Sequence, residues 1–422
     1  MASSPADRPA ATSVEGFKSA KPGAGSVGAA AQLPPEASLL RIVAQGLVPA
    51  TAGADPVEAV AKLLAVQGQQ ASAIPHALLA RTQGTSRAEV EGAFGPTGLV
   101  RSWPMRGTVH VTTAADHHWL RETLRHRDTY VRNHLKNLGL PPRFMERAAD
   151  VALAVIANGA ARREDLNAAW LEAGLLPQSG GQEADDAQVL RRVVFIALHL
   201  EGVLVQAQRS SGEHLVIDAR GLPGAHTGVG GSGGVAAGQA GHAQALAEVA
   251  RRYAAGHGPV TAADLARWSA LPLRQCAQAL DDAFAAASQG DLPLARVRVE
   301  NGKLVEFTPR SAAELNQAHY LRADLPDLLA QHREEANRTL FLGAFDELHV
   351  GYKDRTCLTD EAGERLICPA KNGVFAPLVV DRGRVVAVRP SAGLKWAGGA
   401  AASARVEKDA DRAIKQMLAR LG

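Results

Sequence analysis

SRAEVEGAFGPTGLVRSWPMRGTVHVTT, residues 86–113, decides the fold. Ser86 followed by Glu89 forms a capping box that opens a helix running through Phe94, and Gly95-Pro96 breaks it. Two β-type runs follow, Leu99 to Trp103 and Thr108 to Thr112, with Pro104 and Gly107 between them demanding an edge or a bulge. Upstream, Asp55 caps another helix that has Pro56 at its first position and Glu58 at its third. Val57, Val60, Ala61 and Leu64 share one face of that helix, which should stop near Gly68. The order is helix, helix, β-hairpin. That is the grammar of a winged helix, in which the last helix suits a groove and the hairpin lies against a backbone.

The grammar recurs twice. Residues 142–220 carry a helix from Asp186 to Glu201 that ends at Gly202, then a hairpin of Val203 to Gln208 and His214 to Ile217 around Ser210-Ser211-Gly212. Residues 242–310 contain RRYAAGHGPVTAADLARWSALPLRQCAQALDDAF (251–284), with a turn at Gly256 to Pro259 and a cap from Thr261 to Asp264. A Leu271-Pro272 break precedes a helix with Leu273, Cys276, Ala277 and Leu280 on one face, and strands Ala295 to Val299 and Leu304 to Phe307 close the unit. One such unit is as readily structural as DNA-binding; three in series favour DNA. From Ser311 the pattern changes to a helix at Leu325 to Asn337 and strands at Leu340 to Leu342, Val374 to Val380 and Val385 to Val388, the last two joined by Asp381-Arg382-Gly383. An amphipathic helix from Ser403 to Leu421 ends the chain.

The expected architecture is therefore α+β: three tandem winged-helix units at 37–141, 142–220 and 242–310, and a C-terminal small β-rich domain with a terminal helix at 311–422. Residues 1–36, rich in Ala, Ser, Pro and Gly, read as a disordered leader, and the Gly-rich stretch 221–241 as a flexible linker.

Composition bounds the function. With 46% hydrophobic and 21% charged residues the chain is globular, and a net charge of +3 confines any nucleic-acid surface to a local patch. Cys276, Cys357 and Cys368 are far apart with no CxxC pair, which argues against zinc and iron–sulfur sites and for a reducing compartment. No secretory h-region or membrane-length apolar run occurs, so a cytoplasmic location without a membrane partner is expected. P-loop, GxGxxG, HExxH and GxSxG patterns are absent, which removes the usual support for nucleotide, dinucleotide, zinc-protease and α/β-hydrolase chemistry. His117 and His118 are adjacent, and on a helix they would point about 100° apart, so they read as solvated surface rather than a metal pair. No metal or cofactor is expected.

Four segments carry a more specific signal: VAKLLAVQGQQASAIPHALLAR (60–81), LVRSWPMRGTVHVTTAADHHWL (99–120), LFLGAFDELHVGYKDRT (340–356) and NGVFAPLVVDRGRVV (372–386). In this order they resemble the winged-helix DNA glycosylases of the AlkZ/YcaQ type, over about Leu39 to Gly398. The resemblance implies winged-helix units and a β-domain around a DNA channel, and excision of N7-alkylated purines from double-stranded DNA. For some members it extends to interstrand crosslinks, or to self-protection of producers of DNA-alkylating natural products. The family's catalytic signature, glutamine, aliphatic, then glutamine or aspartate, falls on Gln67, Gly68 and Gln69, with Gly68 departing from the aliphatic centre. Taken without that resemblance, a Gln-x-Gln at a helix end is an ordinary solvated turn.

The chemistry accommodates two amides. A purine alkylated at N7 is cationic and leaves as a neutral base, so it needs no general acid. The demand lies at the sugar, where positive charge develops and a water must be held at the anomeric carbon. An amide oxygen accepts a bond from that water and presents a negative dipole end to the sugar. Residues two apart in an extended segment face one side, so Gln67 and Gln69 would converge on one water, and Gly68 favours that extended path.

Further candidates are Arg106 and His110 on the first wing as DNA contacts, and Trp103 as core or pocket. Arg209 and His214 mark the second hairpin as a minor-groove probe. The GAFDELHVGYKDR segment adds Lys353 and Arg355 as backbone contacts and Tyr352 as a stacking or packing ring. Asp346 and Glu347 are an acidic pair there, Asp346 also a pocket candidate, whose plainer reading is a salt-bridged turn. The rival function is a non-enzymatic winged-helix transcriptional regulator. Three fused units on one chain favour a monomer on one lesion over a dimer on a palindrome.

Overall fold

The computed structural model describes residues 33–124, 129–177, 183–210, 212–224, 239–287, 293–399 and 402–422. The expected leader falls outside these up to residue 32, as do most of the Gly-rich linker and Ser211.

The first third of the chain runs α1 (Glu36–Ala44), α2 (Pro56–Leu63), β1 (Val66–Gln67), α3 (Ile74–Leu79), α4 (Arg87–Gly92), β2 (Leu99–Met105), β3 (Thr108–Thr113) and α5 (Ala114–Leu124). The caps read from sequence are in place. Asp55 accepts from the Glu58 N–H at 2.8 Å, and Ser86 and Glu89 bond reciprocally. Helix α2 stops at Leu63, short of the expected Gly68, because buried Leu64 takes a left-handed φ of 67° and turns the chain into β1. The β2–β3 turn is the two-residue pair Arg106-Gly107, with φ of 55° and 64°, the backbone that suits a hairpin between right-twisted strands.

The middle of the chain adds α6 (Thr129–Asn137), α7 (Phe144–Ile156), α8 (Arg163–Glu172), α9 (Glu183–Leu200), β4 (Leu204–Ser210) and β5 (Glu213–Asp218). Its hairpin does not stand alone. Arg101 on β2 pairs with Gln206 on β4, and the two hairpins merge into one antiparallel sheet ordered β1-β3-β2-β4-β5.

Next come α10 (Gln239–His257), α11 (Ala262–Ser269), α12 (Leu273–Ala287), β6 (Leu294–Glu300), β7 (Lys303–Glu306), α13 (Ala312–Leu315) and β8 (His319–Arg322). The Thr261–Asp264 capping box starts α11. Strand β8 pairs with β6, so the sheet β7-β6-β8 spans the expected domain boundary at 310/311.

The rest comprises α14 (Leu325–Gln331), α15 (Arg333–Ala336), β9 (Leu340–Leu342), α16 (Glu347–Val350), α17 (Glu361–Ile367), β10 (Leu378–Asp381), β11 (Arg384–Val388), β12 (Lys395–Trp396) and α18 (Ala404–Leu421). The helix expected over 325–337 is divided at His332. Residues 374–377 stay outside the strand, consistent with Pro377 lacking an N–H for the ladder. The protein is thus mixed α and β with small antiparallel sheets.

Packing fuses these segments. One core cluster joins Leu64 and Met105 from the first segment to Tyr253 and Trp268 from the third. Another joins Val60 and Ile74 to Phe341, Val379 and the α18 residues Ile414 and Met417. His117 and His118, expected at the surface, are buried, and His118 Nε2 lies 2.8 Å from the Ala219 carbonyl. Among the described residues no helix is long and apolar enough to cross a membrane.

Several interior histidines make stability depend on pH. Burial is the main cause that depresses His199 to about 3, His214 to about 4 and His319 to about 4. In His319 burial outweighs the nearby carboxylates that pull the other way. The unfolded chain, with histidines near 6.5, takes up protons first as the pH falls, so this contribution is intact above about pH 6.5 and is lost progressively toward pH 4. Thermal denaturation across that range is expected to show Tm falling steadily below about pH 6.5, and a flat Tm from about pH 7 to 4.5 would contradict it.

Candidate active site

The Gln-x-Gln segment is held by an incomplete ladder. Val66 and Gln67 lie opposite Val111 and His110, and the Gly68 N–H donates to the Val109 carbonyl at 2.8 Å. That bond makes Gln67 opposite His110 a non-hydrogen-bonded position of the antiparallel pair, where side chains stand closest and backbone groups point outward. The outward N–H of Gln67 donates to Oε1 of Glu347 at 2.7 Å. After Gly68 the chain leaves the sheet. The Gly68 carbonyl accepts from Arg101 Nε at 3.0 Å, and the Val109 N–H donates instead to the Gln69 side-chain Oε1 at 3.3 Å.

Gly68 itself lies against β3. A Cβ there would meet the His110 carbonyl carbon at 3.2 Å, tighter than ordinary van der Waals contact. The missing side chain therefore lets the loop approach β3 closely, which gives the departure from an aliphatic centre a steric role.

The side chains of the two glutamines differ in setting. Gln67 is half-buried, and its Oε1 is buried with no hydrogen-bond partner among the described residues. An unpaired buried acceptor costs about 1–3 kcal/mol, so this oxygen is suited to taking a bond from a bound molecule. Gln69 is exposed and lines a cleft of about 690 Å³ between the β2–β3 hairpin and helices α8 and α9.

Arginines dominate that cleft. Arg101, Arg163, Arg191 and Arg192 line it together with Trp103, Asn167 and Gln206, and among the described residues no acidic side chain does. Arg101 also contacts the Gln206 amide oxygen, and burial, helped by Arg209, lowers it to about 10. Arg163 lies 4.8 Å over the Phe195 ring, a guanidinium–aromatic contact that keeps the cation in place. Trp103 is half-buried, edge-on to Phe195 and His199, so it serves both core and cleft wall. Of these residues the sequence reading singled out Trp103. The signals for the others are Arg101 and Trp103 two apart on β2, and Gln188, Arg191, Arg192 and Phe195 at helical spacing on α9.

On the other side of the β2–β3 turn, Arg106 donates to the Arg267 carbonyl at 3.3 Å and lies 3.0 Å from His110 Nε2. His110 Nδ1 is 3.0 Å from the Thr108 carbonyl, so Nδ1 carries the proton and Nε2 accepts from Arg106. Burial first, and then Arg106, push His110 well below the usual histidine range. His110 was expected to contact DNA; it is wholly buried and neutral, forming the wall beside Gln67.

Other expected contacts also lie inside the protein. Tyr352 is fully buried, donating to the His257 carbonyl at 2.8 Å beneath Arg41, so its ring is packed and cannot stack on a base. Asp346 is buried and gripped by both Nη atoms of Arg81 at 2.8 Å, the salt-bridged turn rather than a pocket wall. Burial pushes its carboxyl up, and Arg81 more than offsets this, holding it below the usual range. His214 is buried against Phe94 with Nδ1 2.7 Å from the Ala207 carbonyl, and Arg209 bonds Glu91 and the Gly212 carbonyl. The two side chains that marked the second hairpin as a probe are therefore engaged within the protein. Lys353 is exposed, while Arg355 is half-buried and paired with Glu364 at 3.0 Å. Among the described residues no group of acidic, histidine and cysteine side chains could hold a metal ion.

A protein family described as DNA glycosylase AlkZ-like matches residues 60–422. Among solved structures, the Streptomyces sahachiroi DNA glycosylase AlkZ is similar in fold, with a TM-score of 0.60 and 18% identity over 92% of this chain and 95% of that one. No curated protein matches the chain.

The arginine-lined cleft predicts a polyanion interface. Replacing exposed Arg192 together with Arg163 by alanine is expected to weaken binding to duplex DNA and to reduce the slope of log K against log salt by roughly 2, one for each phosphate no longer neutralised. An unchanged slope in a salt titration would remove both residues from the interface.

Proposed function

The chain belongs to the AlkZ-like DNA glycosylase family, and on that premise we propose that it hydrolyses the N-glycosidic bond of cationic N7-alkylated purines in double-stranded DNA, using Gln67 and Gln69. Membership sets the reaction class, hydrolysis of the bond between a base and its deoxyribose. The observation that carries the finer reading is the buried, unpartnered Oε1 of Gln67, close in sequence to a glutamine that opens onto an arginine-lined cleft.

The roles follow from charge. In the reacting nucleotide the alkylated base already carries the positive charge that makes it a good leaving group. Gln67 accepts a hydrogen bond from the attacking water, and its carbonyl dipole opposes the positive charge growing on the sugar. Gln69 holds the same region from the cleft side, where Arg163 and Arg192 meet the backbone phosphates. No proton transfer is needed from either amide, and fixing a water in attack geometry supplies several kcal/mol by itself. Neutral His110 at the wall adds no positive charge against the developing cation.

In this reading the helices and hairpins before residue 310 act as three winged-helix units that grip one duplex as a monomer, and the enzyme is monofunctional, leaving an abasic site. A cleft lining without acidic groups among the described residues favours strand binding there. Simple methyl adducts, bulky natural-product adducts and crosslinks share the cationic N7 centre, and the cleft of about 690 Å³ beside Gln69 supports acceptance of the larger ones. The operator-reading regulator draws only on the generic helix–hairpin order and gives no role to the Gln67 amide.

Substituting Gln67 or Gln69 by alanine is expected to lower single-turnover release of 7-methylguanine by two orders of magnitude or more, with duplex affinity within a few-fold of the parent. Wild-type protein should leave uracil in place, since a neutral base needs more activation than an amide supplies. Undiminished turnover in both variants, or efficient uracil release, would refute the mechanism.

A further inference from the structure

We infer that Glu347 is a positioning residue for Gln67, holding the backbone of β1 from the side that faces away from β3. The inference rests on the reading of Gln67 as the water-holding glutamine. Strand β1 is two residues long, lies at the edge of its sheet and leaves β3 after Gly68. On an ordinary edge the outward N–H of Gln67 would meet solvent. Here Oε1 of Glu347 accepts it at 2.7 Å, within the range of a charge-assisted bond, and Glu347 is 1% exposed, so bulk water does not compete for it.

The carboxylate is itself fixed from behind. Asp346 accepts from the Leu348 N–H at 2.9 Å, which caps the short helix α16, and Arg81 grips Asp346 through both Nη atoms. Arg81 follows α3, the helix that begins shortly after the Gln-x-Gln segment. Gln67 is thus tied to Glu347, and Glu347 through its neighbour to the helix downstream of Gln67, in a closed circuit of buried polar groups. The second carboxylate oxygen of Glu347 has no hydrogen bond among the described residues and faces His257 Nε2 at 3.5 Å. His257 is stacked on Tyr253 with ring centroids 4.6 Å apart, so the face opposite Gln67 is rigid as well.

The consequence is geometric. A strand of two residues at a sheet edge, leaving its neighbour after Gly68, has little ladder of its own to stop it rocking about β3, and rocking would carry the Gln67 amide oxygen away from the sugar. A displacement on the order of 1 Å in a water-holding group is enough to cost about two orders of magnitude in rate. Glu347 removes that freedom without touching substrate.

The test uses the full-length protein and a duplex containing 7-methylguanine, with single-turnover rate, duplex Kd and Tm measured for Glu347→Ala, Glu347→Gln, Glu347→Asp and Gln67→Ala. Glu347→Ala is expected to slow the rate tenfold or more with Kd within threefold, and Glu347→Gln, which keeps an acceptor oxygen in place, to recover the rate to within threefold of wild type. Glu347→Asp withdraws the acceptor by one methylene and should also lose rate, which keeps the test decisive if the alanine variant does not fold. The inference is overturned by a wild-type rate in folded Glu347→Ala or Glu347→Asp. It is equally overturned if Glu347→Gln falls as far as the variants that lose or withdraw the acceptor. Should Gln67→Ala retain the wild-type rate, the glutamine reading itself fails, and that result is separate from any given by the Glu347 variants.

Discussion

A buried ion pair between Arg81 and Asp346 ties the two ends of this fold together, and the candidate site is built on it. Both side chains are 1% exposed or less, and Nη2 of Arg81 also donates to Gln45 at 2.7 Å. Breaking such a pair by removing one partner typically costs about 3–5 kcal/mol, because the other charge is left buried without compensation. The pair is expensive to bury, and what it secures is register. It sets Asp346, hence α16, hence Glu347 against the Gln67 backbone. Around it Gln45, Tyr352 and the His257 carbonyl continue the hydrogen bonds into α10, so the N-terminal, third and C-terminal segments meet behind one short strand.

The front of that strand has the opposite character. Behind Gln67 lie buried polar groups, Glu347 and the Arg81–Asp346 pair among them; in front of Gln69 lies a wide, arginine-lined cleft. The proposed reaction on a cationic base would use both. In that proposal the cleft supplies charge for phosphates, which is long-ranged and tolerant of geometry. The amide oxygen would supply a short-ranged dipole whose value depends on where it points. Such a dipole is worth little on a mobile loop, and the buried polar groups here hold the backbone of Gln67 rather than its side chain.

Much of this was readable from local signals. The Ser86–Glu89 and Thr261–Asp264 boxes start helices where the sequence places them, because a cap is satisfied within four residues. The hairpin strands appear within two residues of their expected bounds, since alternation and the Arg106-Gly107 turn are local as well. What escaped depends on partners distant in sequence. β1 is a strand only because β3 lies beside it, and β8 only because of β6. The first two hairpins share a sheet through the Arg101 and Gln206 pair, which no periodicity within either hairpin announces. Tyr352 was expected to stack or to pack and His214 to mark a probe; Arg41 and Phe94, from other elements, cover them inside the protein. The glutamines were legible through the family resemblance; the Glu347 bond to Gln67 spans 280 residues and had to be seen in three dimensions.

The proposed mechanism has the Gln67 amide oxygen hold a water against the anomeric carbon. It is tested most directly by a crystal structure of the protein on duplex DNA carrying a cationic azasugar, a mimic of the oxocarbenium-like sugar, in place of one nucleotide. The expected result is an ordered water within about 3 Å of Gln67 Oε1 and next to the atom that stands for the anomeric centre. A Gln67 side chain turned away from the sugar, with the mimic bound and no such water, would contradict it.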